Sequence, residues 1–464
     1  MRAFAHCGAY VYLCPPKDSR RMEVELLGHY GYRRIIRTMT PMVAMMVVIS
    51  IYSIVDGLFI SNFAGNDAFA GMNLIWPPIA LVGALGLMLG TGGSALVSKT
   101  LGEGDPDKAR RIFSMLIRLT VIAGAVIAVI MYAIMPWLAR TLGSDEAMLP
   151  HAVLYGRILI LVLPAYMLQL EFQPFYMAAE KPQFGTAISL ACGVTNMALD
   201  ALFVAGFGWG LTGAALASSI GLLIGGCFPL WYFSSRHNTT NLKLISCPFD
   251  WHSIVKSCSN GMSEFVGNIA LSVISICYNW QLMRYVGADG VSAYGIVMYL
   301  GFIFAAVFIG YNMGISQVIS FNFGAGNKAE LKSLLRKSLV IVGVCGIVMT
   351  AMSELAAHGI SRIFVGFDDG LCALTTHATR IYMISFLFCG FNMFASAWFT
   401  ALNNGTVSAA AAFVRTLVFE LASVFVLPLI FGIEGIWLSV NVAEILALIL
   451  SAVLVVAYRK RYGY

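Results

Sequence analysis

The chain has 464 residues, of which 59% are hydrophobic and only 11% charged, with a formal net charge of +6. Soluble domains carry about 25% charged residues, so this composition excludes a soluble globular protein and marks a polytopic membrane protein. The positive balance is no nucleic-acid signal, because the basic residues gather in loops beside apolar runs.

Residues 1–21 do not read as a secretory signal, since Pro15, Pro16, Lys17, Arg20 and Arg21 interrupt any apolar core. Met22 is an alternative start; otherwise this stretch is a short cytoplasmic tail. Twelve apolar spans follow, over about 35–62, 68–98, 112–139, 151–179, 183–207, 209–234, 254–284, 289–322, 332–357, 375–402, 406–430 and 435–458. The expected organisation is a tail over 1–34, an N-lobe over 35–236, a linker over 237–253, a C-lobe over 254–458 and a tail over 459–464.

The two lobes repeat one another. Gly92, Ser98, Gly102 and Gly104 recur as Gly314, Ser320, Gly324 and Gly326, and Gly210-Leu-Thr-Gly213 recurs as Gly432-Ile-Glu-Gly435, always 222 residues on. An even number of spans per repeat gives both halves the same sense across the bilayer, with the solute path between them. The fold class is therefore an all-α integral membrane protein, with twelve transmembrane helices in two parallel-repeat six-helix lobes around a central cavity. Lys and Arg concentrate in alternate connections: Arg33, Arg34 and Arg37, then Lys99, Lys108, Arg110 and Arg111, then Lys328, Lys332, Arg336 and Lys337, then Arg459, Lys460 and Arg461. The positive-inside rule places both termini in the cytoplasm, for a multi-pass protein of the plasma (inner) membrane.

Charged groups at the bilayer centre cost about 2.5–3.5 kcal/mol on insertion scales, so each one must face a cavity or a partner. Asp56 in span 1 follows Tyr52 and Ser53 on its own face, as a functional carboxylate or a boundary carboxylate near the headgroups. Asp200 in span 5 has Asn196 one turn earlier; the pair can hold a proton or part of a cation's oxygen shell, or make a helix–helix hydrogen bond. Thr212, Ser218 and Ser219 offer hydroxyls from span 6. Polar seams run down span 7 (Glu264, Asn268, Ser272, Ser275, Asn279), span 8 (Asn312, Ser316, Ser320) and span 10 (Asn392, Ser396, Thr400, Asn403), and point to a central hydrated cleft. Glu420 and Glu444 read first as members of a structural ion pair with Arg415, and Glu171 in span 4 is undecided between structure and transport. Pro41, Pro77, Pro78, Pro164, Pro174 and Pro428 each remove a backbone donor and permit a bend. No Cys-x-x-Cys occurs, and Cys192, Cys227, Cys277, Cys345 and Cys389 lie in apolar segments as small hydrophobes. With no His-Glu-x-x-His, Gly-x-Ser-x-Gly or Walker loop, neither an enzyme nor ATP-driven export is expected.

Asp56, the Asn196-x3-Asp200-Ala-Leu-Phe run, Gly208 to Ala215, the twin loops Gly102-Glu-Gly104 and Gly324-Ala-Gly326, and Ala401-Leu-Asn-Asn404-Gly405 together resemble the multidrug and toxic compound extrusion (MATE) family over about residues 30–458. The resemblance implies export of cationic or amphiphilic organic compounds in exchange for H⁺ or Na⁺, by alternating access of two lobes. It implies an ion site of Asp56, Asn196 and Asp200, the place for Na⁺ if Na⁺ is the ion, with Thr212 or a span-6 serine such as Ser218 as an optional member; Tyr52, Glu264 and Asn268 are accessory polar residues by their helix faces. No cofactor beyond the coupling ion and no nucleic acid is implied, and the partners are the small-molecule substrate and the bilayer around a monomer. Two departures stand out. Ala201 replaces a proline common after the span-5 aspartate, so a weaker bend is expected there. Span 10 has no acid, which argues against the C-lobe cation site of some members and leaves Glu264 as a gating or entrance residue. A flippase for lipid-linked oligosaccharides, from the same superfamily, is the alternative; its cavity would want several Arg or Lys facing a pyrophosphate.

Overall fold

The computed structural model describes residue 26 and residues 28–63, 66–366 and 368–464. The readings of residues 1–21 and of Met22 lie outside these. No strand occurs among the described residues. Within a bilayer a helix satisfies its own backbone, so each long apolar run becomes one. In chain order they are α1 (Tyr32–Phe63), α2 (Asn66–Gly102) and α3 (Pro106–Thr141). Then come α4, in two segments (Leu149–Leu161 and Leu163–Ala178), α5 (Pro182–Gly206) and α6 (Gly210–Ser234). The second half has α7 (Trp251–Tyr285), α8 (Ala288–Gly324), α9 (Lys328–Val365), α10 in two segments (Asp369–Met383 and Phe386–Ala401), α11 (Gly405–Phe431) and α12 (Ile433–Tyr462). Ten of these are long and apolar enough to span by themselves, and the two bent pairs make twelve.

The 222-residue repeat extends to backbone detail. Asp105 caps α3 by accepting from Lys108 N at 2.9 Å, and Asn327 caps α9 by accepting from Glu330 N at 3.1 Å. The preceding turns are closed by Gly104 and Gly326, at φ +85° and +69°, a region where a side chain would be strained. α4 breaks at Val162 with a 59° bend and α10 breaks at Ile384–Ser385 with a 44° bend. Pro164 opens the second segment of α4, so one break has the missing donor that the sequence offered. Pro41, Pro77, Pro78, Pro174 and Pro428 instead lie inside continuous helices, and the break in α10 has no proline.

Helices α1–α6 form one lobe and α7–α12 the other. The lobes are seamed at the end where the basic loops lie. Gly92 of α2 meets Ser257 and Gly261 of α7 backbone to backbone, Gly102 meets Phe321 of α8, and Gly310 of α8 meets Val43 of α1. Gln317 bridges the seam, accepting from Ser98 Oγ at 2.8 Å and donating to Ser94 Oγ at 2.9 Å. The segment before α1 straps both lobes: Leu26 N donates to Glu180 Oε1 at 3.1 Å and Tyr30 N to Glu330 Oε1 at 2.9 Å. Between α6 and α7 the chain runs along α3, where Arg118 donates to Cys247 O at 2.9 Å. It ends at Asp250, which caps α7; the Ser253 hydroxyl, donating at 2.6 Å, holds that carboxyl below the usual carboxylate range. Away from this end, α1 at Ile51 and α7 over Leu271–Val273 carry exposed faces.

Candidate functional site

Three helices of the first lobe bring four polar side chains together. Asp56 comes from α1, Asn196 and Asp200 from α5, and Ser218 from α6. Asp56 faces Asp200, Ser218 and Asn196, and Asn196 Nδ2 donates to Ser218 Oγ at 3.3 Å. Asp200 is fully buried and Asn196 nearly so, whereas Asp56 keeps part of its surface exposed. Asp56 is therefore the member nearer to open space. Asn196 and Asp200 share a face because they are one turn apart. Directly after Asp200, α5 widens into a π-helical segment, Ala201–Gly206. Such segments concentrate at functional sites. The backbone thus departs from α geometry at the expected residue, although Ala201 has replaced the proline.

The chemistry of the cluster is set by what its oxygens lack. Asp56 Oδ1, both carboxylate oxygens of Asp200, Asn196 Oδ1 and Ser219 Oγ are buried without a hydrogen-bond partner. A buried acceptor with no donor is costly, and two carboxylates in a low dielectric resist double ionisation. The set consists of oxygens alone, which fits a proton or a hard monovalent cation and does not fit a soft metal. No group of three His, Cys, Asp or Glu that could hold a metal occurs among the described residues.

The accessory residues divide. Ser218 joins the cluster. Tyr52 lies beside it: its hydroxyl reaches Gln169 of α4, and its ring packs where Gly193 has no Cβ. Thr212 sits in the first turn of α6, about 9 Å along the axis from Ser218, and among the described residues its hydroxyl makes no hydrogen bond to the cluster. Glu264 and Asn268 belong to the other lobe. Glu264 lies about three and a half turns into α7, and its backbone carbonyl accepts from Asn268 Nδ2 at 2.8 Å.

The expectation of three wet seams is corrected for two of them, those of α8 and α10. Ser316 and Ser320 of α8 donate to Ala397 O and Ala401 O of α10, at 3.4 and 2.7 Å, and Asn392 donates to Glu444 Oε2 at 2.6 Å. Those seams are helix–helix contacts, because each polar group finds a carbonyl or carboxylate across a tight crossing. Ser272 of α7 remains exposed. Glu171 is fully buried with both carboxylate oxygens unpartnered, and its polar neighbour is Thr120 of α3, apart from the Asp56–Asp200 cluster. Sequence reasoning missed Tyr155, a buried phenol of α4 beside both Asp56 and Asp200. No sequence signal marks it, since its place depends on how α4 packs on α6.

With this geometry in hand, comparison with known proteins is specific. The MatE family model matches the chain twice, over residues 41–202 and 265–426. The chain is 25% identical to the multidrug export protein MepA of Staphylococcus haemolyticus over 444 residues, covering 95% of this chain and 97% of that protein. It is 22% identical to MepA of Staphylococcus aureus over 421 residues, covering 91% and 92%. Among solved structures, a MATE in complex with MaL6 superposes with a TM-score of 0.88 at 19% identity, over 94% of this chain and 97% of that one. The double match, one copy in each lobe, covers well over half of the sequence, and the protein belongs to the multidrug and toxic compound extrusion (MATE) family.

Proposed function

We propose that the protein is a secondary antiporter that exports cationic or amphiphilic organic compounds in exchange for H⁺ or Na⁺. The observation that carries this reading is the buried, all-oxygen cluster of Asp56, Asn196, Asp200 and Ser218. Cation loading relieves the repulsion between the two carboxylates and favours one packing of α1, α5 and α6. Release resets it. Occupancy shifts the lobe equilibrium only by its difference in affinity between the two states. Similarity to multidrug export proteins supports the substrate class. The same reading places the protein in the plasma membrane as a monomer, with both termini in the cytoplasm.

A lipid-linked saccharide flippase finds no support. Arg157 stacks over Tyr132 at 4.9 Å, Arg415 is engaged by Glu444 at 2.6 Å, and Arg380 lies 3.7 Å from Glu354. Arg380 and Arg415 thus face carboxylates, and Arg157 an aromatic ring.

The test is ethidium efflux from proteoliposomes under separately imposed pH and sodium gradients. Asp56→Asn and Asp200→Asn should each lower gradient-driven efflux at least tenfold, and the gradient that drives the wild type identifies the ion. Full transport by both variants would remove the coupling site.

A further inference from the structure

The second lobe holds its own version of the Asp56–Asp200 cluster, built from different residues. Tyr278 of α7 stands 222 residues after Asp56, and Glu420 of α11 falls two residues before Ala422, the counterpart of Asp200. Both fifth helices carry a π-helical segment bordering the carboxylate: Ala201–Gly206 follows Asp200, and Val414–Glu420 ends on Glu420. The Tyr278 hydroxyl is fully buried, has no hydrogen-bond partner, and lies beside Glu420 and Glu444.

Charge does not balance there. Arg415 grips Glu444 with both Nε and Nη2, at 3.0 and 2.6 Å to Oε1, and Asn392 donates to Oε2 at 2.6 Å. That carboxylate is saturated. Glu420 has no hydrogen bond or ion pair among the described residues. The groups that face it are Glu444 on α12, Arg415 on its own helix, Tyr278 on α7, Tyr294 on α8, and Tyr382 and Cys389 on α10. One guanidinium thus serves two acids, and the surplus negative charge falls on Glu420. Unlike the Asp200 oxygens, the Glu420 oxygens are not sealed from open space, and the residue is only partly buried.

We propose that Glu420 is a second proton-coupling carboxylate, in the C-lobe, taking up one proton per cycle at the repeat-related place of the N-lobe pair, with Tyr278 as the hydroxyl that positions it. The proton adds to a Glu420 oxygen and leaves from it, so no other bond changes. This rests on the antiport reading with H⁺ as the ion of the N-lobe pair and deepens it, since two carboxylate sites then give two protons per turnover. The family's C-lobe pattern of acids in spans 7 and 10 is incomplete, since span 10 has none, and this site uses α7, α11 and α12 instead.

The full-length protein in proteoliposomes, with membrane potential clamped at zero and one pH unit imposed, decides the stoichiometry. Each coupled proton contributes a factor of about ten to the accumulation of a monovalent cation. Wild type should accumulate ethidium about a hundredfold and Glu420→Gln about tenfold, with Glu420→Asp returning toward the wild-type value. A Glu420→Gln variant that matches wild type, a wild type that reaches only tenfold, or a second charge that follows a sodium gradient at equal pH would each overturn the proposal. An independent arm treats the wild-type protein in detergent with dicyclohexylcarbodiimide and maps adducts by mass spectrometry. An adduct on Glu420 that fades as pH rises, with none on Glu444, is expected, and its absence overturns the proposal even if no variant folds. Failure of wild type to move ethidium at all would count against the antiport reading, while the carbodiimide arm would still decide Glu420.

Discussion

Arg415 shows how one side chain sorts two acids. Both Glu420 and Glu444 were candidates for its partner, and the fork of its guanidinium settles on Glu444 alone. The structural ion pair read from the sequence therefore holds for Glu444 and not for Glu420. Removing one partner of a buried pair strands the other, which costs about 3–5 kcal/mol, whereas replacing both with apolar residues of similar volume is near neutral. Arg415→Met should accordingly lower the melting temperature in detergent sharply, and Arg415→Met with Glu444→Leu should recover most of the loss. An unchanged melting temperature in the single variant would show that the pair contributes nothing. At Asp200 the opposite holds: the carboxylate has no partner to lose, so Asp200→Asn should cost transport and leave thermal stability nearly intact.

At the scale of elements, irregular backbone borders the candidate carboxylates. α5 is α-helical through Asp200 and π-helical from Ala201 to Gly206. The wider turn holds one more residue than an α-helix would, and that residue sets the phase between Asp200 and the contacts beyond it. Deleting Leu202 should return the segment to α geometry and rotate the helix on one side of the deletion by about 100° relative to the other. The expected outcome is a folded protein by size-exclusion chromatography, with gradient-driven ethidium efflux lowered at least tenfold. Efflux at the wild-type level would show that the π segment is incidental. The bends of α4 and α10, at positions 222 residues apart, show the same economy, because both lobes break the same helix at the same place with only one proline between them.

For the whole molecule, the decisive feature is the seam at the basic end. Gly92 and Gly261 let α2 and α7 cross at backbone distance; a Cβ on Gly261 would fall on Met88 O, and one on Gly92 on Ser257 O. Gln317 then ties the lobes through Ser94 and Ser98. The proposed alternating access would require this seam to part. Gly261→Leu should weaken it and shift the population toward the state open at the basic end. The measurement is maleimide labelling at Ser94→Cys, placed in a cysteine-free background. Labelling about tenfold faster in Gly261→Leu corresponds to a shift of about 1.4 kcal/mol. An unchanged rate would mean that the crossing does not hold the lobes closed.

The sequence by itself determined the class of the protein and named the carboxylates of a candidate site. Long apolar runs have one stable form in lipid, so the twelve spans were legible from composition, and the 222-residue offset gave the two-lobe build. Asp56, Asn196 and Asp200 were legible because acids in apolar helices are costly and therefore rare. The tertiary structure decided everything that depends on which helix faces lie together. It turned the seams of α8 and α10 into dry crossings and placed Tyr155 beside the cluster. It also assigned Arg415 to Glu444. Periodicity fixes the face on which a residue lies but not the neighbour that face meets, and pairing between helices far apart in sequence is set by packing alone.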